Sequence, residues 1–253
     1  MEKQPQGIQS VELAFELLES FLAIGSPVTL GEAAARLGVG KSKLHKYLTS
    51  FGRLKVVSQD ESGRYTFGPK LLELGLGILG RMDIVTFCDP ELHRLRVQSD
   101  EAAALALWTS QGPLIVRFLH NPKPVAIAMR VGFYAPVAVS AAGRCFAAYL
   151  PEQAYAHLLD AELGTDAGAR ERFRQELRET VSRGYALRTE PNSGIPGSQA
   201  LACPVFDGSG EIVASVLLIG FEGREGGPSP QVIEALRHAA HNLSLRLGWT
   251  DEP

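Results

Sequence analysis

Apolar residues near the N-terminus recur at helical spacing. Val11, Phe15, Leu18 and Leu22 fall on one face, after Ser10 as a cap and before Gly25-Ser26-Pro27 as a stop. A second helix is marked by Thr29 with Glu32 three residues on, a capping box, followed by Leu30, Ala33, Ala34 and Leu37 and stopped at Gly38. After the short turn Gly38-Val39-Gly40, the stretch Lys41 to Phe51 puts Leu44, Leu48 and Phe51 on one side. Ser42, Lys43, His45, Lys46, Thr49 and Ser50 fall on the other. The pattern then changes period. Lys55 to Ser58 and Arg64 to Phe67 alternate around Asp60-Glu61-Ser62-Gly63 as a β-hairpin. Lys70 to Arg81 returns to a helical pattern weakened by Gly75, Gly77 and Gly80, and reads as a connecting helix. Its leucines and Ile78 need cover, either from a partner subunit or from the remainder of the same chain.

Beyond Asp89, strand-like and helical segments alternate. Ala103 to Trp108, Leu114 to Leu119, Val125 to Arg130, Leu201 to Phe206 and Ile212 to Gly220 predict strands. Pro90 to Ser99, Ser140 to Leu150, Ala169 to Arg183 and Pro230 to Leu247 predict helices. Tight turns at Gln111-Gly112-Pro113 and Asp207-Gly208-Ser209-Gly210 make much of the sheet antiparallel. The longest apolar run, Ile212 to Ile219, is far short of the roughly 20 residues a membrane-spanning helix needs and reads as a buried strand.

Charge divides the chain further. The first seventy residues carry nine Lys or Arg against seven Asp or Glu, and the rest sixteen against twenty-one. A mildly basic head on a mildly acidic body suggests two domains with different partners. We place the boundaries at 1–69 for the head, 70–88 for the connector and 89–253 for the body. Between Ala33 and Gln59 there is no acidic residue, while Arg36, Lys41, Lys43, Lys46, Arg53 and Lys55 are cationic. Such a stretch neutralises phosphates without internal competition, which non-specific DNA affinity requires.

Three helices and a hairpin in this order make a winged helix-turn-helix, with the third helix in the major groove. Ser42, Lys43, His45, Lys46 and Thr49 then lie near base edges or phosphates, and the wing residue Arg64 reaches a phosphate or the minor groove. The alternative is a small helical domain with a solvated basic face, but capping box, glycine turn, basic helix and hairpin in sequence favour the DNA reading.

Four stretches, IQSVELAFELLESF from Ile8, GVGKSKLHKYL from Gly38, GRYTFGPKLLELG from Gly63, and the pair SAAGRCFAAYLP from Ser140 and ACPVFDGSGEIVAS from Ala202, with RGY at Arg183, resemble the IclR family of bacterial transcriptional regulators over nearly the whole chain. The resemblance implies an α+β chain: a winged helix-turn-helix joined by a helix to a GAF-like α/β effector-binding domain, in dimers that often pair into tetramers. It places Ser42, Lys43, His45 and Lys46 on the recognition surface. Lys43 replaces the family's usual small residue there, and Lys46 its usual arginine. Lysine lacks the planar fork that reads guanine, so Lys46 is expected to favour phosphate.

A helix starting at Ser140-Ala141-Ala142-Gly143 exposes backbone amides to an anion, unless they are taken by water or a side chain. The resemblance implies that this helix start holds the carboxylate of a small organic effector. Ala142 and Gly143 are then its ligands, with Ser140 and Arg144 as neighbours and Glu190, Ala200, Leu217 and Ile219 as the remaining wall. Three of those four wall residues are apolar. They point to an effector with a hydrophobic or aromatic body, or to a pocket partly filled by the protein itself, and away from a tiny polar acid such as glyoxylate.

Little else carries chemistry. Cys88, Cys145 and Cys203 have no metal-type spacing, which suits a reduced, cytoplasmic protein, and Cys145 and Cys203 read as small core residues in preference to nucleophiles or redox sensors. His238 and His241 lie one turn apart without a third ligand at telling spacing, so no metal and no other cofactor is expected. No nucleophile elbow, phosphate loop or paired-carboxylate motif appears. The expected partners are double-stranded operator DNA, a small organic acid and further copies of the chain, with no membrane. An enzyme or carrier with an interaction module, or a constitutive DNA-binding protein without a ligand, stand as the alternatives.

Overall fold

The computed structural model describes residues 7–25, 27–79, 83–121, 123, 129–189, 198–221 and 227–250. The chain divides into two compact units, Met1–Arg81 and Met82–Pro253.

The first unit holds α1 (Gln9–Ile24), α2 (Leu30–Leu37), α3 (Lys41–Arg53), the hairpin β1 (Val57–Gln59) and β2 (Tyr65–Phe67), and α4 (Pro69–Leu79). The Thr29–Glu32 capping box is formed in both directions, and Gly38 ends α2 in the left-handed conformation that a side chain resists. In the hairpin turn, one Asp60 oxygen accepts from the Ser62 and Arg64 amides at 2.9 Å each and from the Ser62 hydroxyl at 2.7 Å. Val28 adds an antiparallel bridge to Tyr65, fastening the wing to the α1–α2 connection.

Two sequence expectations for α1 are corrected. Ser10 lies inside the helix, whose N-cap is Ile8 without a side-chain hydrogen bond. The helix buries Leu17 and Phe21, while Val11 (50%), Phe15 (64%) and Leu22 (68%) stay exposed. Apolar residues line two faces of this helix, so spacing alone could not tell which one enters the core.

The second unit comprises α5 (Asp83–Ser99), β3 (Ala102–Thr109), β4 (Gly112–Leu119), α6 (Ala141–Ala147), a 3-10 turn at Glu152–Ala154, α7 (Ala156–Leu163), α8 (Ala167–Arg183), β5 (Ala186–Arg188), β6 (Ser198–Phe206), β7 (Ile212–Phe221) and α9 (Pro230–Arg246). The sheet is antiparallel, in the order β4-β3-β7-β6-β5. Successive side chains alternate between its faces. Ala102, Ala104, Ala106, Ala186, Ala200, Ala202, Leu217 and Ile219 share one buried cluster with Ala141, Ala142, Cys145 and Phe146 of α6. α5 and α9 pack together over the opposite face.

Helix α5 begins seven residues before Pro90, where the sequence suggested its start, and carries that proline internally. Ile84, Val85, Cys88, Leu92 and Leu95 are all buried at helical spacing, which offsets the backbone hydrogen bond that proline removes. The elements α7 and β5 were not foreseen. Both are short, and only Leu159 of α7 is buried. Most of the expected strand from Val125 lies outside the described residues.

Candidate DNA-reading surface and ligand site

On α3, Leu44, Leu48 and Phe51 are buried against α1, α2 and the wing, and this fixes the helix's rotation. Ser42, Lys43, His45, Lys46 and Thr49 are consequently exposed along one outer face. The Thr49 hydroxyl donates to the His45 carbonyl at 2.8 Å, which leaves its oxygen as an acceptor for a partner. Two details differ from the sequence expectation. Lys43 and Tyr47 line a groove with Gln9, Glu12, Leu13 and Glu16 of α1, so carboxylates distant in sequence lie beside the cationic helix. Arg64 turns back toward α2, donating to the Pro27 carbonyl at 3.4 Å and standing 3.7 Å from Glu32. Both the contact and its partners are partly exposed, and a phosphate competes readily for such an arginine.

In the second unit, the fold brings Ala142, Ala200, Leu217 and Ile219 into one buried cluster. Ser140 and Gly143 adjoin it through α6, whereas Glu190 lies outside the described residues. At the helix start one backbone amide already has a side-chain partner. Ser140 caps α6: its hydroxyl accepts the Gly143 amide at 2.8 Å and donates to the Pro136 carbonyl at 2.6 Å. A Cβ on Gly143 would sit 2.3 Å from the Val137 oxygen and 2.4 Å from the Pro136 oxygen, so this glycine serves a close backbone approach. The preceding loop supplies its own anion, because the Glu162 carboxylate accepts the Val137 and Ala138 amides at 2.7 and 2.8 Å. Arg144 is buried and donates to the Ala138 carbonyl at 3.0 Å and the Leu187 carbonyl at 3.4 Å, tying this loop to β5. The short reach from helix to loop is set by folding and carries no mark in the local sequence.

One charged residue on this side of the sheet was not foreseen. Arg188 of β5 is 8% exposed and donates to the Ser198 hydroxyl at 3.2 Å. The alternation Ala186-Leu187-Arg188 would have shown which face it shares, had so short a segment been read as a strand.

The thiols behave as core. Burial pushes Cys88 and Cys203 up to about 12 and Cys145 higher still, and Cys145 Sγ accepts from the Ser215 hydroxyl at 3.4 Å. The His241 ring meets Trp249 edge to face at 5.7 Å. Among the described residues, no cluster of His, Cys, Asp and Glu is disposed to hold a metal, and no helix is long and apolar enough to cross a membrane.

A winged helix-turn-helix with an exposed cationic third helix, on a chain whose second unit is an antiparallel sheet between helical layers, defines a DNA-binding transcriptional regulator. The chain belongs to the IclR family: residues 10–61 match the IclR helix-turn-helix domain and residues 76–245 the bacterial transcriptional regulator IclR C-terminal domain. It is 30% identical over 251 residues to the glycerol operon regulatory protein of Streptomyces griseus, covering 96% of this chain and 98% of that one. Among solved structures it resembles Pseudomonas aeruginosa HmgR, with TM-score 0.76, 29% identity and coverage of 96% and 100%. An IclR homologue from Microbacterium hydrocarbonoxydans complexed with 4-hydroxybenzoate shares the fold at TM-score 0.78 and 20% identity, covering 92% of this chain and 97% of that one.

Proposed function

We propose that this regulator responds to a small organic acid with an apolar or aromatic body, bound on the alanine-rich face of the sheet beneath α6. The observation that carries the reading is the convergence of Ala142, Ala200, Leu217 and Ile219, from one helix and two strands, in a single buried cluster. Small and apolar walls of this kind suit a ligand that brings its own bulk and few hydroxyls. The fold neighbour that holds 4-hydroxybenzoate supports the same class of ligand. Ser140, Gly143 and Glu190 belong to the rim of this site in our reading. Ser140 and Gly143 act by shaping the α6 start, since the Gly143 amide already has a partner.

In the head, Ser42, Lys43, His45, Lys46 and Thr49 meet the operator, and Arg64 joins them by exchanging Glu32 and Pro27 for a phosphate. The chain works as a homo-oligomer on a palindromic or repeated operator. Ile8 at the N-cap of α1 and Val11, Phe15 and Leu22 within it, with Leu72, Leu74, Leu76 and Ile78 on α4, are exposed apolar residues that a second copy would cover. An acid that prefers one arrangement of the body shifts the population toward it, and α4 passes that preference to the spacing of paired heads. The test is a gel-shift titration on DNA upstream of the protein's own gene, with and without aliphatic and aromatic acids. Operator affinity that no acid changes would refute the effector reading, and no sequence-specific complex at all would refute the assignment of the head.

A further inference from the structure

We infer a second ligand site, on the side of α6 that faces α8 and not the sheet, which takes a small amphipathic carboxylate. It does not depend on the effector reading above. α6 packs on β6 and β7 through one side and on α8 through another. Between the α6 start and α8 lies a half-enclosed cavity of about 310 Å³. Its lining includes no member of the alanine-rich cluster beneath α6. Ala138 and Phe173, on its wall, belong instead to a separate buried cluster with Val137, Ala147, Tyr155 and Leu159.

Val139, Leu163 and Phe173 give the cavity an apolar wall, and Val139 is 52% exposed there. Apolar surface left uncovered in a concavity is where an apolar ligand gains from leaving water. The charges on the wall set the sign of the ligand. Glu176 stands 3.7 Å from Arg144 and 3.7 Å from Arg183, so its carboxylate is already shared between two guanidiniums. Arg172, one turn before Glu176 and beside Phe173, is exposed and forms no ion pair among the described residues. Asp166, at the same end of α8, uses its carboxylate on the Ala169 amide at 2.9 Å. The charge left for a ligand is therefore the guanidinium of Arg172, whose planar fork matches a carboxylate. The volume lies at the low end of the about 300–1,000 Å³ of small-molecule sites, which suits a one-ring or medium-chain acid. Arg144 already ties the loop before α6 to β5 through the Ala138 and Leu187 carbonyls. An occupant touching Val139 and Arg172 fastens α8 to that same loop.

The experiment is methyl NMR of the full-length protein, titrated with hexanoate, octanoate and phenylacetate and with their neutral amides. Val139 and Leu163 report on the outer cavity, Leu217 and Ile219 on the alanine-rich face. The variants are Ala169→Trp, which fills the cavity from α8, and Arg172→Gln, each first shown to fold by circular dichroism. The expected result is at least one acid that shifts Val139 and Leu163 saturably and binds about two- to fivefold more tightly than its amide, the range of an exposed charge pair. Ala169→Trp should abolish those shifts. Arg172→Gln should remove the preference for the acid while amide binding stays as it was. If no acid moves Val139 and Leu163, the outer site is overturned, and a response confined to Leu217 and Ile219 leaves the effector reading standing. Outer signals that still move in Ala169→Trp report a ligand bound elsewhere and overturn the outer site too. A response confined to Val139 and Leu163 supports the outer site and counts against an effector beneath α6. Should Ala169→Trp not fold, Arg172→Gln decides alone: an acid-to-amide ratio equal to the wild type's overturns the proposal, and its loss supports it.

Discussion

Ser140 and Gly143 hold each other at the start of α6: the serine hydroxyl takes the glycine amide at 2.8 Å, and the glycine lies directly under the Pro136–Val137 backbone. Adding a methyl group there forces backbone to move. Gly143→Ala should therefore destabilise the second unit by about 1–3 kcal/mol, the usual cost of overpacking. Ser140→Ala should cost about 1 kcal/mol for the lost cap. Urea unfolding followed by tryptophan fluorescence reads both, since Trp108 and Trp249 lie in the second unit. Wild-type stability in Gly143→Ala would show that the close approach is not real.

Lys43 and Lys46 project from α3 without a role in its packing. Replacing either by alanine should leave the melting temperature unchanged and lower the slope of log affinity against log salt by about one if the lysine contacts a phosphate. Gel shifts at four salt concentrations would measure this. An unchanged slope in both variants would remove these lysines from the interface.

The neighbouring Glu12 and Glu16 oppose the same contact from α1. Glu12→Gln with Glu16→Gln should tighten binding to DNA of any sequence and thereby narrow the ratio of operator to non-operator affinity. Filter binding to operator and scrambled duplexes gives both values. Weaker binding would mean that the glutamates orient Lys43 instead of opposing it.

Hydrogen bonds from the Thr29 amide and hydroxyl, helped by Arg64 and Arg36, hold Glu32 below its ordinary value of 4.5. A depressed carboxylate contributes stability that is full above 4.5 and is lost as pH falls through its lower folded value. Thr29→Ala removes the hydroxyl's share of this. The stability gap between wild type and Thr29→Ala should thus narrow as pH drops from 7 toward 3. It should not close, because the Glu32 amide also loses its 3.2 Å bond to the Thr29 hydroxyl, which does not titrate. Far-UV circular dichroism during urea unfolding follows the helices of both units, and tryptophan fluorescence supplies the unaffected second unit as reference. A gap independent of pH would contradict the carboxylate's part.

Phe15 on α1 and Leu72 on α4 are 64% and 65% exposed. Phe15→Glu with Leu72→Glu should leave the fold intact while shifting sedimentation toward smaller species and weakening operator binding. Unchanged sedimentation would place the self-association surface elsewhere.

Much of the head could be read directly from the chain. The Thr29–Glu32 box, the Gly38 turn and the Asp60–Gly63 turn act over four residues or fewer, so backbone and side-chain chemistry decide them before any core forms. The same holds for the exposed face of α3, where Leu44, Leu48 and Phe51 leave only one side that can turn inward. Their order identifies a winged helix-turn-helix, and with the later motifs it identifies the family.

Tertiary structure decided what depends on residues far apart in the chain. α1 carries two apolar faces, and only the presence of α2, α3 and the wing selects Leu17 and Phe21 for the core. Carboxylates thirty residues away reach the groove beside Lys43 because α1 packs there. At the α6 start Ser140 takes the Gly143 amide, and Glu162, from a helix the periodicity did not announce, takes the Val137 and Ala138 amides of the preceding loop. Arg188 is one cation among many until strand register sets it opposite Ala200. Local pattern fixes which residues can form an element, because its forces act within one or two turns; which faces are buried, and which charges are left inside, follow from how the elements pack.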